Sequence, residues 1–245
     1  GGVIGAARLA ARDGRRLALT FDMGGTSCDV ALVSDGVPAR TGSTVIAGHP
    51  LHLPMLDVAT VSAGGGSIAW ADSGGALRVG PQSAGARPGP AAYGLGGERP
   101  TVTDADVVLG RLPVDAPLGG RIRLDPAAAE AAVGRLAAEL GMDVYECAEG
   151  IITVAVQEMV RALRLVSVER GEDPREATLI AFGGAGPLHA CPVAEELGVG
   201  RVVAPPAAGV LAALGLVGAG ERRDYVQTVL APVADRAVER DEEIA

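Results

Sequence analysis

Two short apolar runs that each end on a pair of glycines constrain this chain more than any other feature. The first, Leu17 to Asp22, closes on Gly24-Gly25, and a second apolar run follows from Asp29 to Val33 before Ser34-Asp35-Gly36. This spacing predicts strand, turn, strand. The segment Asp22-Met23-Gly24-Gly25-Thr26-Ser27-Cys28-Asp29 puts an acidic residue at the end of a buried strand and then a tight, hydroxyl-rich turn. Glycine lets the backbone approach a polyphosphate and aim N–H groups at it. Thr26 and Ser27 can donate hydroxyls, and Asp22 can hold Mg2+ directly or through water. The alternative is an ordinary hairpin with Asp29 facing solvent. In the second run, Thr178 to Phe182 leads through Gly183-Gly184-Ala185-Gly186 into a helix from Pro187, whose first turn has free N–H groups and a positive dipole end. Taken singly, that turn could equally serve close packing of helix on strand. Two such turns in one domain, one acidic and one purely glycine-rich, point to a nucleotide clamp with phosphates at the first and adenosine at the second.

Composition narrows the chemistry. The 21 basic residues are all arginine, so neither a Walker A loop nor a Schiff base can form. A net charge of -9 argues against a nucleic-acid surface and favours small-molecule partners. Only six residues are aromatic against 36 glycines, so the core is expected to be aliphatic with closely approaching backbones. Cys28, Cys147 and Cys191 lack metal-ligand spacing and read as reduced thiols of a cytoplasmic protein. Neither a membrane span nor a secretory signal is indicated.

Along the chain, residues 1 to 12 read as a helix with a small-residue face, ended at Asp13-Gly14. Further strands are expected at Ser43 to Ala47 and Val58 to Ser62. Residues 63 to 99 are too rich in Gly and Pro for a long helix and are expected to form an insert of short strands and ordered loops. Helices follow: one capped by Thr103 or Asp104, one from Ala127 to Leu140 capped by Asp125-Pro126, and the longest from Val144 to Arg170 before Gly171. A helix from Pro187 to Leu197, a strand from Val199 to Ala204 and a helix from Ala207 to Val217 complete an α/β pattern. The core is thus expected over about 1–62 and 100–230, and the acidic residues 231–245 read as a tail or the start of another domain.

The two glycine turns, Asp22 to Asp29 and Phe182-Gly183-Gly184-Ala185-Gly186-Pro187-Leu188-His189-Ala190, resemble the hydantoinase A and 5-oxoprolinase family. Three stretches between them resemble its other signatures: Thr60 to Ala69, Val79 to Ala86 with Pro88-Gly89-Pro90, and Thr101 to Ala105. The resemblance covers nearly the whole chain, and five motifs in order are far more specific than either turn. It implies a mixed sheet flanked by helices, the ribonuclease H-like ATPase lobe that actin, sugar kinases and heat-shock ATPases share. It further implies ATP as co-substrate, Mg2+, a hydantoinase B-type partner subunit or domain in an oligomer, and a second lobe expected before Gly1. Its activity would be ATP-dependent opening of a hydantoin or a lactam such as 5-oxoproline. Asp22 and Asp29 would position the metal and attacking groups, and Gly24, Gly25, Thr26, Ser27, Gly183, Gly184, Ala185 and Gly186 would hold ATP. The same architecture serves ketone carboxylases, and a non-catalytic nucleotide-binding module is a third reading. Two positions depart from the family: Cys28 stands where threonine is usual, expected to cost a hydroxyl near the phosphates and create a thiol-sensitive point, and Ser62 where glycine is common.

Other candidates are weaker. Gly64 to Ala69 satisfies G-x-G-x-x-A, but a dinucleotide site needs a helix directly afterwards and none is predicted. His49, His52 and Asp57 could be metal ligands, although Pro50 and Pro54 exclude a helix and a surface loop is the plainer account. His189 could contact nucleotide or pack at its helix start. Asp104 and Asp106 could complement a helix dipole or face the cleft.

Overall fold

A computed structural model describes residues 1–46 and 48–220 of the chain. Helix α1 spans Gly2–Arg12. The strands that follow are β1 Leu17–Met23, β2 Cys28–Ser34, β3 Val37–Pro38, β4 Arg40–Thr41, β5 Thr44–Ile46, β6 His49–Leu51, β7 Met55–Leu56, β8 Ala59–Val61, β9 Ser67–Ala71 and β10 Leu77–Ser83. Helices α2 Val102–Val108, α3 Pro126–Leu140 and α4 Val144–Ser167 come next. Then follow β11 Thr178–Phe182, α5 Gly186–Leu197, β12 Val202–Val203 and α6 Leu211–Val217.

The main sheet runs β12-β11-β1-β2-β3, with β8 also paired to β2. Strands β1, β11 and β12 are parallel, while β2 is antiparallel to β1. This is the mixed sheet flanked by helices that the resemblance implies. Side chains alternate across it. Leu17, Leu19, Phe21 and Met23 point into one core with α4 and α5, whereas Ala18, Ala31, Val33, Ile180 and Phe182 pack with α1 and α6. The parallel pairing of β1 and β11 brings both glycine turns to the same end of the sheet.

Helix α4 is the main wall of the first core. Asp143 caps it by accepting from the Glu146 N–H, and Ile151, Ile152, Ala155, Val156, Met159, Val160, Leu163 and Val166 form a buried stripe at spacings of three and four. A short 3-10 turn carries it to Gly171, whose φ of 79° needs the left-handed region. On the other face, α1 and α6 approach closely enough that a Cβ on Gly215 would lie 2.6 Å from the Gly5 nitrogen. Among the described residues no helix is long and apolar enough to cross a membrane.

Several boundaries differ from the sequence reading, among them the helix expected from Ala207, which begins at Leu211 after a 3-10 turn over Ala208–Val210. The cap of α2 is Thr101, not Thr103 or Asp104: the Thr101 hydroxyl accepts from the Asp104 N–H while Asp104 accepts from the Thr101 N–H, a reciprocal box that begins two or three residues before the expected cap. The strand expected over Val199 to Ala204 contracts to Val202–Val203, because β12 is an edge strand paired only to β11. The expected strand at Ser43 to Ala47 is Thr44–Ile46, paired with β6 outside the main sheet, and Ala47 lies outside the described residues. So do residues 221–245, including the expected acidic tail. After the triple glycine comes strand β9 and not a helix, which removes the dinucleotide-fold reading of Gly64 to Ala69.

Candidate functional site

The first glycine turn is the tip of the β1–β2 hairpin. Met23 faces Cys28 in register, and the Gly24 N–H donates to the Ser27 carbonyl at 3.0 Å. The Gly25 and Thr26 N–H groups find no partner among the described residues, and both residues are exposed. Beneath them lies the triple glycine: Gly65 N–H donates to the Gly24 carbonyl at 3.1 Å and Gly66 N–H to the Gly25 carbonyl at 2.6 Å. A Cβ on Gly64 would sit 2.6 Å from the Thr26 nitrogen and carbonyl carbon, so only glycine lets this loop back the turn. Gly64→Ala is therefore expected to cost roughly 1–3 kcal/mol and to weaken Mg-ATP binding about 10-fold, checked by thermal melts and calorimetric titration.

The second turn is stitched to the first. Ala185 N–H donates to the Met23 carbonyl at 3.0 Å, and Gly183 N–H to the Ala208 carbonyl at 3.0 Å. Gly183 has φ +82°, and a Cβ there would strike the Met23 carbonyl oxygen and lie 2.5 Å from Asp22 Oδ1. Both its backbone angle and its surroundings require glycine. Gly184 is exposed, and α5 starts at Gly186 with no side-chain cap.

Between the turns lies a cavity of about 340 Å³, walled by Gly24, Gly25 and Gly65 on one side and by Gly184, Ala185 and Leu188 on the other. Tyr93, Thr103, Asp106, Leu112, Leu118 and Gly119 complete it. Of the ten positions singled out from the sequence, Gly24, Gly25, Gly184 and Ala185 line this cavity. Gly183 and Gly186 pack behind the second turn, and Thr26 and Ser27 belong to the hairpin tip. Tyr93, Thr103, Leu112, Leu118, Gly119 and Leu188 were missed as site residues; the 109–125 stretch carries no motif, while Thr103 and Leu188 lie inside motifs, the first read as a helix cap and the second beside glycines that drew the assignment.

Asp22 and Asp29 are directly opposed in the β1–β2 register and, by strand alternation, lie on the α1 face beside the cavity and not in its wall. A Cβ on Gly2 would be 3.2 Å from Asp22 Oδ2, so α1 begins against this carboxylate. Asp29 is half-buried and accepts from the Thr60 hydroxyl at 2.6 Å, which replaces the solvent-facing alternative with a tethered one. Burial, and then the Asp29 charge, push the Asp22 carboxyl above its ordinary value. Neither acid joins an ion pair among the described residues.

The reading of Cys28 needs correction. Its side chain is fully buried in the α4 core, and burial with the Asp29 and Asp22 charges holds its thiol far up and protonated. It is neither thiol-sensitive nor placed to reach phosphates, because the pleat turns it away from the tip. His49 and His52 are exposed, and Asp57 pairs with Arg170. His189 is fully buried, with Nε2 3.3 Å from Asp106 Oδ2.

The sequence profile of the hydantoinase/oxoprolinase family matches residues 1–225. The chain belongs to this family. It is 44% identical over 225 residues to the caprolactamase alpha subunit of Pseudomonas jessenii, a match covering 91% of this chain and 32% of that protein. It is 39% identical over 234 residues to 5-oxoprolinase 1 of Arabidopsis thaliana, covering 88% of this chain and 18% of the relative. In structure it is similar to a nucleotide-free acetone carboxylase with a TM-score of 0.80 at 35% identity, covering 88% of this chain and 31% of that one. This hydantoinase/oxoprolinase chain therefore spans about a third or less of the length of these relatives.

Proposed function

We propose that the chain forms part of the ATP site of an enzyme that opens a cyclic amide, such as a hydantoin or 5-oxoproline, with hydrolysis of ATP. The observation that carries this reading is the cavity walled by both glycine turns, beside N–H groups of Gly25 and Thr26 that find no partner among the described residues. Phosphates would lie on Gly24, Gly25, Thr26 and Ser27, and the nucleoside against Gly183, Gly184, Ala185 and Gly186. Two opposed carboxylates that join no ion pair among the described residues suit a hard divalent ion that keeps other positions for phosphate oxygens and water, so Asp22 would hold Mg2+ with Asp29 beside it. When bound, Mg2+ would neutralise charge on the polyphosphate.

The chemistry answers a specific difficulty: amide resonance makes direct ring hydrolysis slow. Transfer of the γ-phosphoryl group to the amide oxygen breaks its bond to ADP and weakens that resonance. Water then adds to the ring carbon, the C–N bond breaks as nitrogen takes a proton, and a second water releases phosphate from the acyl phosphate left behind. The chain's own part is to fix the phosphates in line with the acceptor oxygen. The names of the caprolactamase and 5-oxoprolinase relatives support a cyclic-amide substrate, and the subunit name of the former supports a partner subunit, for which a hydantoinase B-type chain is our proposal. Free thiols suit a reducing cytoplasm.

The similarity to acetone carboxylase favours a second reading, in which a ketone-derived oxygen receives the phosphoryl group. ADP release by the full-length protein with its partner subunit separates the two. Stimulation by hydantoin, 5-oxoproline or caprolactam is expected. Stimulation only by acetone with bicarbonate would move the chain to the carboxylases, and stimulation by neither would sink both.

A further inference from the structure

Helices α2 and α5 bury a pair of ionisable side chains that no part of the fold requires. His189 is fully buried and Asp106 is 2% exposed, with Nε2 and Oδ2 3.3 Å apart. The cap of α2 is made by Thr101 and Asp104, so Asp106 does not serve it. Asp106 Oδ1 and both ring nitrogens of His189 are buried and have no hydrogen-bond partner among the described residues, although Nε2 lies near Oδ2. Burying a carboxylate with an unused acceptor is costly, and an apolar pair of similar volume would do as well for packing. Asp106 lines the cavity between the two glycine turns, where Leu112, Leu118, Leu188 and Tyr93 supply apolar walls. A carboxyl acceptor in a mostly apolar slot suits an N–H or O–H donor on a flat, uncharged group better than a phosphate.

We propose that Asp106, oriented by His189, accepts a hydrogen bond from the nucleoside of the bound nucleotide and thereby selects it. This rests on the reading of the cavity as the ATP site and adds the recognition that the glycine turns, made of backbone, cannot provide. The shared chemistry is a donor on the nucleoside, either the exocyclic amine of adenine or a ribose hydroxyl. His189 is a positioning residue: packed against Asp106 with Nε2 3.3 Å from Oδ2, it holds the carboxyl group at the cavity wall.

Calorimetric titration of the full-length protein with Mg2+ complexes of ATP, purine riboside triphosphate, 2′-deoxy-ATP and 3′-deoxy-ATP tests this. Wild type is expected to bind one of these analogues about 10- to 100-fold more weakly than ATP, the analogue identifying the donor. The Asp106→Leu/His189→Leu double variant, which replaces the pair by apolar side chains and keeps the fold, is expected to bind ATP with that same loss and to treat ATP and the analogue alike. His189→Gln, which keeps a polar side chain against Asp106, should recover most of the discrimination. Equal binding of all four nucleotides by wild type overturns the proposal while leaving the ATP site intact, as does a folded double variant that still discriminates. No binding of Mg-ATP by wild type overturns it together with the function on which it rests.

Discussion

Asp22→Asn in the full-length protein is expected to lower substrate-dependent ATP turnover by roughly 100-fold or more, since it removes the carboxylate that would hold Mg2+ against the polyphosphate. The same substitution is expected to raise the melting temperature of the nucleotide-free protein at pH 7. Burial and the opposed Asp29 charge disfavour the ionised form of Asp22 in the folded state, so its carboxyl sits above the ordinary 3.8. For an acid shifted upward, the folded state binds more protons than the unfolded one as pH climbs from that ordinary value to the raised one. Stability therefore falls across that window and stays lowered above it. Asparagine abolishes the deficit at neutral pH and leaves stability unchanged at pH values below 3.8, where both states of Asp22 are protonated. Melting curves at pH 3 and pH 7, with and without Mg-ATP, read out both halves: the gain should be confined to pH 7, and Mg-ATP should stabilise wild type alone. Unchanged turnover would remove Asp22 from the phosphate site.

That opposition between stability and function explains why so much of the site was legible in the sequence. A carboxylate at the end of the apolar run Leu17 to Phe21, followed by two glycines, violates what a strand end needs for stability alone. Gly64 and Gly183 are likewise positions where a Cβ would collide with backbone, and both lie in the glycine clusters that the sequence displays openly. The helices were legible because α4 keeps its stripe over about four turns and α3 carries Asp125 and Pro126 at its start. What did not show depends on contacts between distant segments. Leu112, Leu118 and Tyr93 carry no local signature, and they reach the cavity only because α2 and α3 bring their loops beside the glycine turns. Cys28 was misassigned for a simpler reason: one step of strand alternation separates the tip from the core.

The same distinction between local and distant contacts separates two neighbouring acids that looked alike in sequence. Asp104, two residues before the cavity-lining Asp106, is a structural carboxylate, and Asp104→Ala is expected to destabilise the fold by roughly 3–5 kcal/mol. Its Oδ2 accepts from the Thr101 N–H at 2.9 Å, the Thr101 hydroxyl at 2.8 Å and the Ala91 N–H at 3.2 Å, while Oδ1 accepts from the Ala92 N–H at 2.7 Å. All of this is buried, so alanine would strand three backbone donors at about 1–3 kcal/mol each before relaxation and water entry reduce the sum. For a domain of this size the loss corresponds to a fall in melting temperature of roughly 10 °C. Asp104→Asn, which keeps one acceptor oxygen, should recover part of it. Because Asp104 ties the Ala91–Tyr93 turn to the start of α2, its loss also frees Tyr93, Thr103 and Asp106 together. Mg-ATP affinity should therefore fall in parallel with stability in Asp104→Ala, whereas the Asp106→Leu/His189→Leu variant should lose affinity without losing stability. Parallel losses in both variants would mean that the two acids do the same structural work, and the division between a carboxylate that builds the cavity and one that reads its occupant would fall.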